Sequence, residues 1–472
     1  MAVRLPGQPG YDAATAVFNL TAPPTPAAAV VVSTVDEIRE ALEYARSFRL
    51  GVRVHTTGHA SPTQRPMSSA LLLKVRPSGP VEVDASRRVA RVPAGTLWGA
   101  VAEAAAPFGL AAPHGSSGTV GVVGYLLRGG MSYYGRQLGV ATNLVRAVEL
   151  VTADGSLVRA SAAENPELFW AIRGGGGGFG VVTSIEVELF PAAKVITGSA
   201  FWAGEHAPEL LREWLRWSED APWEATTSLQ IMNLPDLPEI PEVLRSGPVL
   251  SVDGAVLAVT EDGVPLAQAQ ADELLGRLRA VAEPVMDSWA LTKPSAVLEA
   301  HMDPEDPVPI AGDHLLLTDL DSAGASEFLR VVGPGSGSPF ISAGMRQLGG
   351  AYSVADPGGG ALSSFAGRFA YSGAGLVVDD SSSAAVEERC SVVRSALAPW
   401  DSGWTVPSFV ENWRQPQRHL SDSAVGRVDA VRASVDPDGV FAGDVSPGAS
   451  AGSGGSVGSV GSVGSAGDTP VF

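Results

Sequence analysis

The residues best suited to chemistry in this chain cluster in three loops. The stretch Gly118–Gly139 and the run Arg173-Gly174-Gly175-Gly176-Gly177-Gly178-Phe179-Gly180 are both glycine-dense, and they flank a pair of strands. Glycine has no Cβ, so it tolerates positive φ and lets main-chain N–H groups approach phosphate oxygens closely. The third loop, Thr56-Thr57-Gly58-His59-Ala60-Ser61-Pro62, is built of small residues at the end of a strand. Its N–H groups could meet a pyrophosphate, with His59 as nucleophile or ligand beside the cofactor. The plainer alternative for His59 is a hydrogen-bonded loop histidine.

Gly175, Gly177 and Gly180 formally spell the dinucleotide pattern GxGxxG. That pattern works only when a strand precedes the glycines and a helix follows. Here Asn165–Ile172 reads as a helix, with Asn165 as N-cap and Pro166 at the first helical position. After the glycines, Val181–Leu189 reads as a strand. The order is reversed, and a nicotinamide-cofactor reading is rejected.

The elements that must position these loops begin with a strand at Val30–Val32 and a helix over Val35–Phe48. Ser33 or Thr34 caps that helix, and Glu37 completes a capping box with Thr34. A strand at Val52–His55 closes a β-α-β unit. Strands at Leu71–Val75, Val81–Asp84 and Arg88–Val92 and a helix over Leu97–Ala106 follow. Beyond Pro191 the texture is α+β: strands such as Leu315–Thr318 and Phe365–Tyr371 alternate with amphipathic helices at Pro208–Trp217, Leu266–Val281 and Ala384–Leu397. Residues 401–442 read as helix-rich, ending in a turn at Asp436–Phe441, and residues 443–472 as a disordered Gly/Ser tail.

A chain of 472 residues is long enough for two domains. Its net charge of −19 argues against nucleic acid or an anionic membrane as partner. One cysteine, Cys390, excludes an internal disulfide and a cysteine metal cluster. The acidic pairs around Asp303 and Asp379 lack calcium-loop spacing, so no metal site is expected. Neither a signal peptide nor a membrane span is apparent, and a soluble cytoplasmic protein is expected.

With these motifs in view, the chain resembles the berberine-bridge-enzyme-like FAD-linked oxidases of the vanillyl-alcohol oxidase and p-cresol methylhydroxylase superfamily, of a bacterial secondary-metabolism type. Val52–Pro62 is similar to the family's Arg-Ser-Gly-Gly-His-Ser loop, Val92–Gly95 with Trp98 to its V-x-A-G-x-x-W turn, and Gly118–Gly139 to its glycine-rich cofactor loop. Arg173–Val182, Gly344–Gly350 and Asp436–Phe441 match further motifs in the same order. The resemblance implies an α+β fold. A split, two-subdomain FAD-binding domain would comprise residues 1–192 and 401–442. A substrate domain over 193–400 would carry an antiparallel sheet covered by helices. It implies that Thr56, Thr57, Gly58, His59, Ala60 and Ser61, with Ser116, Ser117, Gly118, Thr119, Val120 and Gly121, cradle the pyrophosphate of FAD. Gly124, Tyr125, Gly129, Gly180 and Val182 would line the ribose and adenine, and Asn412 would contact the flavin.

The sequence departs from the family in four places. Ser117 stands at the position of the cysteine that relatives link to flavin, so a cysteinyl link is excluded while a single bond through His59 stays open. Gly178 replaces the asparagine of the adenine-side loop, and Arg128 and Met131 interrupt a glycine triplet. Val410-Glu411-Asn412 replaces a Tyr-x-Asn whose tyrosine serves many relatives as base. Candidates for the base are Tyr133, Tyr134, Tyr352, Tyr371, Glu411 and His314. On a strand, Glu411 would point away from Asn412 and from the cofactor. The resulting expectation is an oxidase or dehydrogenase of a small molecule, which passes a hydride to flavin N5, with dioxygen as acceptor. An FAD-bound scaffold for a non-redox cyclisation or elimination is the alternative, and a flavin-free binding protein a third. Substrate and oligomeric state are not legible.

Overall fold

A computed structural model describes residues 2–441 and 447–448, so most of the stretch expected to form a tail lies outside the described residues. The chain opens as its local signals require. Strand β1 (Ala28–Val32) leads to helix α1 (Val35–Ser47). The Thr34 hydroxyl accepts from Glu37 N at 3.3 Å, while the Glu37 carboxylate accepts from Thr34 N at 3.1 Å and Ser33 N at 2.8 Å. This reciprocal cap satisfies donors the first helical turn leaves open. Strand β2 (Gly51–His55) and β3 (Ala70–Val75) complete a parallel sheet in the order β1-β3-β2. β3 is buried along almost its whole length, as its run of leucines demands.

A second, antiparallel sheet follows. Its strands are β4 (Glu82–Asp84), β5 (Val89–Pro93), β6 (Val145–Val151), β7 (Leu157–Ser161) and β8 (Val181–Glu188), in the order β4-β5-β8-β6-β7. Helix α2 (Trp98–Ala105) follows β5, and α3 (Pro166–Ile172) precedes the glycine run. Asn165 is the residue before α3, but it sits at φ 50° and ψ 53° and makes no side-chain cap. Its amide instead donates to Arg159 O at 2.7 Å.

The largest sheet has six long strands. They are β9 (Lys194–Ala203), β10 (Ala225–Met232), β11 (Val249–Ala258), β12 (Ile310–Leu317), β13 (Ser342–Gln347) and β14 (Phe369–Leu376), ordered β9-β11-β10-β13-β14-β12 with every pairing antiparallel. Phe365 lies before β14, in a loop where its N–H donates to Tyr352 O at 2.7 Å. Helices α4 (Ala207–Glu219), α5 (Val264–Arg279), α6 (Ser322–Val332) and α7 (Asp380–Leu397) cover one face. That face carries Leu229, Ile231, Val252, Leu315, Met345 and Tyr371, which share one apolar core with the helices. Alternation along the strands turns Ser228, Asp253, His314 and Arg346 to the opposite face.

Residues 28–189 form another core, which Val406, Leu420, Val428 and Phe441 join from the end of the chain. The segment after residue 400 is helical only in its second half, α8 (Asp422–Val435), because Pro407 begins a single 3-10 turn and irregular chain follows it. The Asp436 carboxylate then accepts from Val440 N and Phe441 N at 2.8 and 2.7 Å, and Val52 N donates to Val440 O at 2.7 Å. The closing turn is thereby tied to β2. Among the described residues no helix is long and apolar enough to cross a membrane.

Candidate active site

The polar face of the large sheet and the loops at the end of β2 enclose a cavity of about 460 Å³. Thr56, Thr57, Gly58, His59, Ala60 and Ser61 line it from one side, and Ser116, Ser117, Val120, Gly121, Gly124 and Tyr125 from another. Gly180, Val182 and Glu411 complete the set of expected residues that the structure brings together. The loop after β2 is held by the chain's beginning: Phe18 N donates to Thr57 O at 2.8 Å and the Ser61 hydroxyl to Asn19 O at 2.9 Å.

Glycine is required at two points of this lining. Gly58 has φ +71°, and a Cβ there would fall 2.4 Å from Val17 Cγ1. Gly180 has φ +147°, and a Cβ would fall 2.5 Å from Val151 O. Among the described residues, the N–H groups of Thr57, Gly58, Ala60 and Ser117 meet no protein acceptor. Backbone donors without partners, on two loops that face one cavity, fit an anionic diphosphate. Arg128 lines the same cavity and donates to Thr63 Oγ1 at 2.9 Å, adding a cation to the donor set.

Some expected residues serve the site from behind or not at all. Thr119 does not line the cavity; its hydroxyl lies 3.2 Å from His59 Nε2 and 2.8 Å from Ser117 Oγ. Gly118 packs against Gly99, where an added Cβ would meet the Gly99 Cα at 3.5 Å. Gly129, at φ +88°, lies against Leu362. Asn412 also stays outside the lining, because its side chain accepts from Arg414 N at 2.9 Å.

His59 stacks on Phe18 with ring centroids 3.8 Å apart, and its Nδ1 lies 2.7 Å from Thr57 Oγ1. Burial lowers its pKa to about 4, against a partly opposing pull from Asp303. The imidazole is therefore neutral near pH 7, the form a nucleophilic or ligating nitrogen needs. Ser117 lines the cavity beside this loop. The single cysteine, Cys390, lies on α7 against the helix-covered core, with burial pushing its thiol up to about 12.

The candidate bases separate sharply. Tyr371 belongs to the helix-covered face, so strand alternation carries it away from the cavity. Tyr352 is also absent from the lining; its hydroxyl donates to Ser132 O. Tyr134 donates to Pro294 O at 3.0 Å, and burial raises its pKa beyond reach. His314 is spent on the backbone: Nδ1 donates to Tyr371 O at 2.7 Å and Nε2 accepts from Val406 N at 3.0 Å. Tyr133 donates to Asp253 and lies 2.8 Å from His301 Nδ1, but burial holds its hydroxyl well above the usual phenol range.

Glu411 is the exception, and its position overturns the expected orientation. Residues 410 and 411 are not strand; they follow the 3-10 turn Pro407–Phe409, and Glu411 faces the cavity. Its N–H donates to Gln415 Oε1 at 3.1 Å, and Gln415 Nε2 donates to Gly312 O at 2.6 Å, which pins the segment to β12. Burial raises the Glu411 pKa to about 7, with Arg128 lowering it and Asp313 adding to the rise. Phe18, Asp303 and Arg346 also line the cavity and were not picked out as site residues. Arg346 alone had a signal: a solitary cation inside a buried strand.

Comparison with known proteins agrees with this geometry. Residues 26–161 match the family described as FAD binding domain. Over 199 residues the chain is 31% identical to (R)-6-hydroxynicotine oxidase of Paenarthrobacter nicotinovorans, covering 42% of this chain and 43% of that protein. It is 32% identical over 199 residues to a carbohydrate oxidase of Microdochium nivale, covering 41% and 40%. The matches thus span less than half the length of these two curated relatives. Among solved structures, 6-hydroxy-D-nicotine oxidase of Arthrobacter nicotinovorans superposes with a TM-score of 0.78 at 22% identity, over 93% of this chain and 96% of that one. Aclacinomycin oxidoreductase superposes with a TM-score of 0.77 at 19% identity, over 94% and 99%. The chain therefore carries an FAD binding domain, and its cofactor is FAD. Its overall fold is that of the solved 6-hydroxy-D-nicotine oxidase, of a BBE-like protein of Physcomitrella patens (TM-score 0.78, 19% identity, over 94% of this chain and 96% of that one) and of aclacinomycin oxidoreductase.

Proposed function

We propose that this protein is an FAD-dependent oxidoreductase of a small organic molecule, with Glu411 as its base. The observation that carries the reading is the placement of Glu411. It is the one candidate base that both faces the cavity and has a pKa near neutrality, raised there by burial. When bound, FAD supplies a two-electron acceptor for a C–H bond adjacent to oxygen or nitrogen. The N–H groups of Thr57, Gly58, Ala60 and Ser117, with Arg128, hold the diphosphate. His59, a neutral imidazole on the same cavity, would touch the bound cofactor and could form one covalent link to it. Glu411 takes the proton from the substrate's heteroatom, with Phe409, Val410 and Arg128 lining the cavity beside it.

The named activities of the relatives, oxidases and FAD-linked oxidoreductases, support redox chemistry over a scaffold role. In this reading residues 1–192 and 401–442 act as the FAD domain and 193–400 as the substrate domain. Dioxygen is the electron acceptor, the substrate belongs to secondary metabolism, and the protein works in the cytoplasm. The test is anaerobic mixing of the yellow protein with panels of secondary alcohols, amines and sugars. Bleaching of the visible flavin band and its return on admitting air are expected. Product formed while the band stays oxidised would refute the proposal in favour of non-redox chemistry.

A further inference from the structure

Arg346 occupies the middle of the large sheet's polar face, on β13, and only 4% of it is exposed. Its Nε donates to Ser228 Oγ at 3.1 Å. Its guanidinium carbon lies 4.0 Å from the Tyr133 ring centroid and 5.6 Å from that of Phe409. The bond to Ser228 is the one hydrogen bond of its side chain among the described residues, and its two terminal nitrogens have no acceptor there. The neighbouring carboxylate, Asp253, is already engaged: it accepts from Tyr133, and its other oxygen lies 3.0 Å from His301 Nδ1. Burial opposes a charge on Arg346, and Tyr133, Asp253, Tyr352 and Asp303 favour it through space, so the guanidinium keeps its charge while none of these groups accepts from its terminal nitrogens.

A buried cation with two free donors is unfavourable unless something completes it. Arg346 lines the cavity, so the completing group comes from there. A planar guanidinium presents parallel N–H bonds that match a carboxylate. Phe409, Tyr125 and Met131 line the same cavity and supply an apolar bed for the body of such a molecule. We propose that Arg346 is the anchor for a carboxylate on the substrate, so that the enzyme acts on small organic acids carrying an aromatic or otherwise apolar body. This deepens the oxidoreductase reading and rests on it. The other charged groups facing the cavity are compatible. Arg128 adds positive potential, Asp303 influences His59 and His301, and Glu411 is largely protonated below neutral pH.

The experiment titrates the purified holoprotein with benzoate and with benzamide, its neutral counterpart, by calorimetry and by the shift of the visible flavin band. Benzoate is expected to bind about 10- to 100-fold more tightly than benzamide, the range for a hydrogen-bonded charge pair. Arg346→Met should erase that preference, and Arg346→Lys, which keeps the charge without the fork, should retain part of it. Melting temperatures of both variants separate loss of the anchor from loss of the fold. Equal binding of the two probes by the native protein would overturn the proposal. So would an Arg346→Met protein that keeps its benzoate preference but shows a lowered flavin potential, since the guanidinium would then serve the reduced flavin. Calorimetry reads benzoate binding with or without flavin. A colourless protein that still prefers benzoate would sink the cofactor reading and leave the anchor standing.

Discussion

Glu411→Gln should stabilise this protein at alkaline pH while disabling it. The carboxyl has a pKa of about 7 in the fold against an ordinary 4.5, because burial penalises its charge. Below pH 4.5 folded and unfolded chains both hold the proton, and Glu411 then has no effect on stability. As pH rises from 4.5 to 7 the unfolded chain releases the proton first, so stability is lost over that window, and above 7 the loss is complete. At about 1.4 kcal/mol per tenfold change in proton affinity, the loss reaches up to about 3 kcal/mol. That is an upper value, since one face of the group opens on the cavity. Glutamine does not titrate and avoids the loss. For a chain of 472 residues, an unfolding entropy of about 2 cal/mol/K per residue turns 3 kcal/mol into about 3 °C. The assay compares melting of native and Glu411→Gln holoprotein at pH 4.5 and pH 8 at one scan rate. The variant's advantage should grow by up to about 3 °C between the two. Anaerobic flavin reduction should meanwhile slow by about 10²- to 10⁴-fold, with the acid limb of its pH profile gone. A melting difference that is the same at both pH values would show that Glu411 is not a buried, proton-holding acid, and the case for it as base would fall.

Other outcomes follow from the same geometry. After acid precipitation the yellow colour should stay with the protein pellet and move to the supernatant in His59→Ala; colour in the supernatant of the native protein would reduce His59 to a loop contact. Gly58→Ala places a Cβ 2.4 Å from Val17 at φ +71°. Left-handed backbone costs about 1–2 kcal/mol and overpacking about 1–3 kcal/mol, so FAD content after purification should drop well below one per chain. Full flavin occupancy in that variant would contradict the cradle. Tyr371→Phe should leave turnover unchanged and stability equal or higher, because its buried hydroxyl has no partner among the described residues. A loss of activity would put Tyr371 back among the catalytic candidates.

Much of the fold was legible because its signals are local. The capping box at Thr34 and Glu37, the buried run of β3 and the order of α3, glycine run and β8 each depend on a few adjacent residues. The cofactor loops were legible for the same reason, since glycine patterns announce close approach wherever they occur. The misreadings lie where a distant partner decides. Asn165 leaves its cap because Arg159 O is within reach, and Asn412 turns from the cavity to cap Arg414. Glu411 faces inward because Pro407 begins a tight turn and Gln415 ties the segment to β12, so alternation does not apply there. Nothing near Phe18 or Asp303 in sequence reveals that each reaches His59, one by stacking and one through its charge.

The large sheet also explains why so few candidates survive. Its two faces differ in kind: one is sealed by four helices and is apolar, and the other faces the cavity and is polar. Residue parity along each strand therefore decides which side chains have access to substrate. Met345 and Tyr371 share the sealed face, and Ser228, Asp253 and Arg346 share the open one. The chemistry left to this chain is that of an acid and a base of opposite character on one cavity. Arg346 keeps its charge, and its terminal nitrogens have no acceptor among the described residues; Glu411 lacks a strong cationic partner and surrenders its charge below pH 7. Neither arrangement favours the folded state, and both become intelligible if a molecule in the cavity brings an anion to the first and a proton to the second.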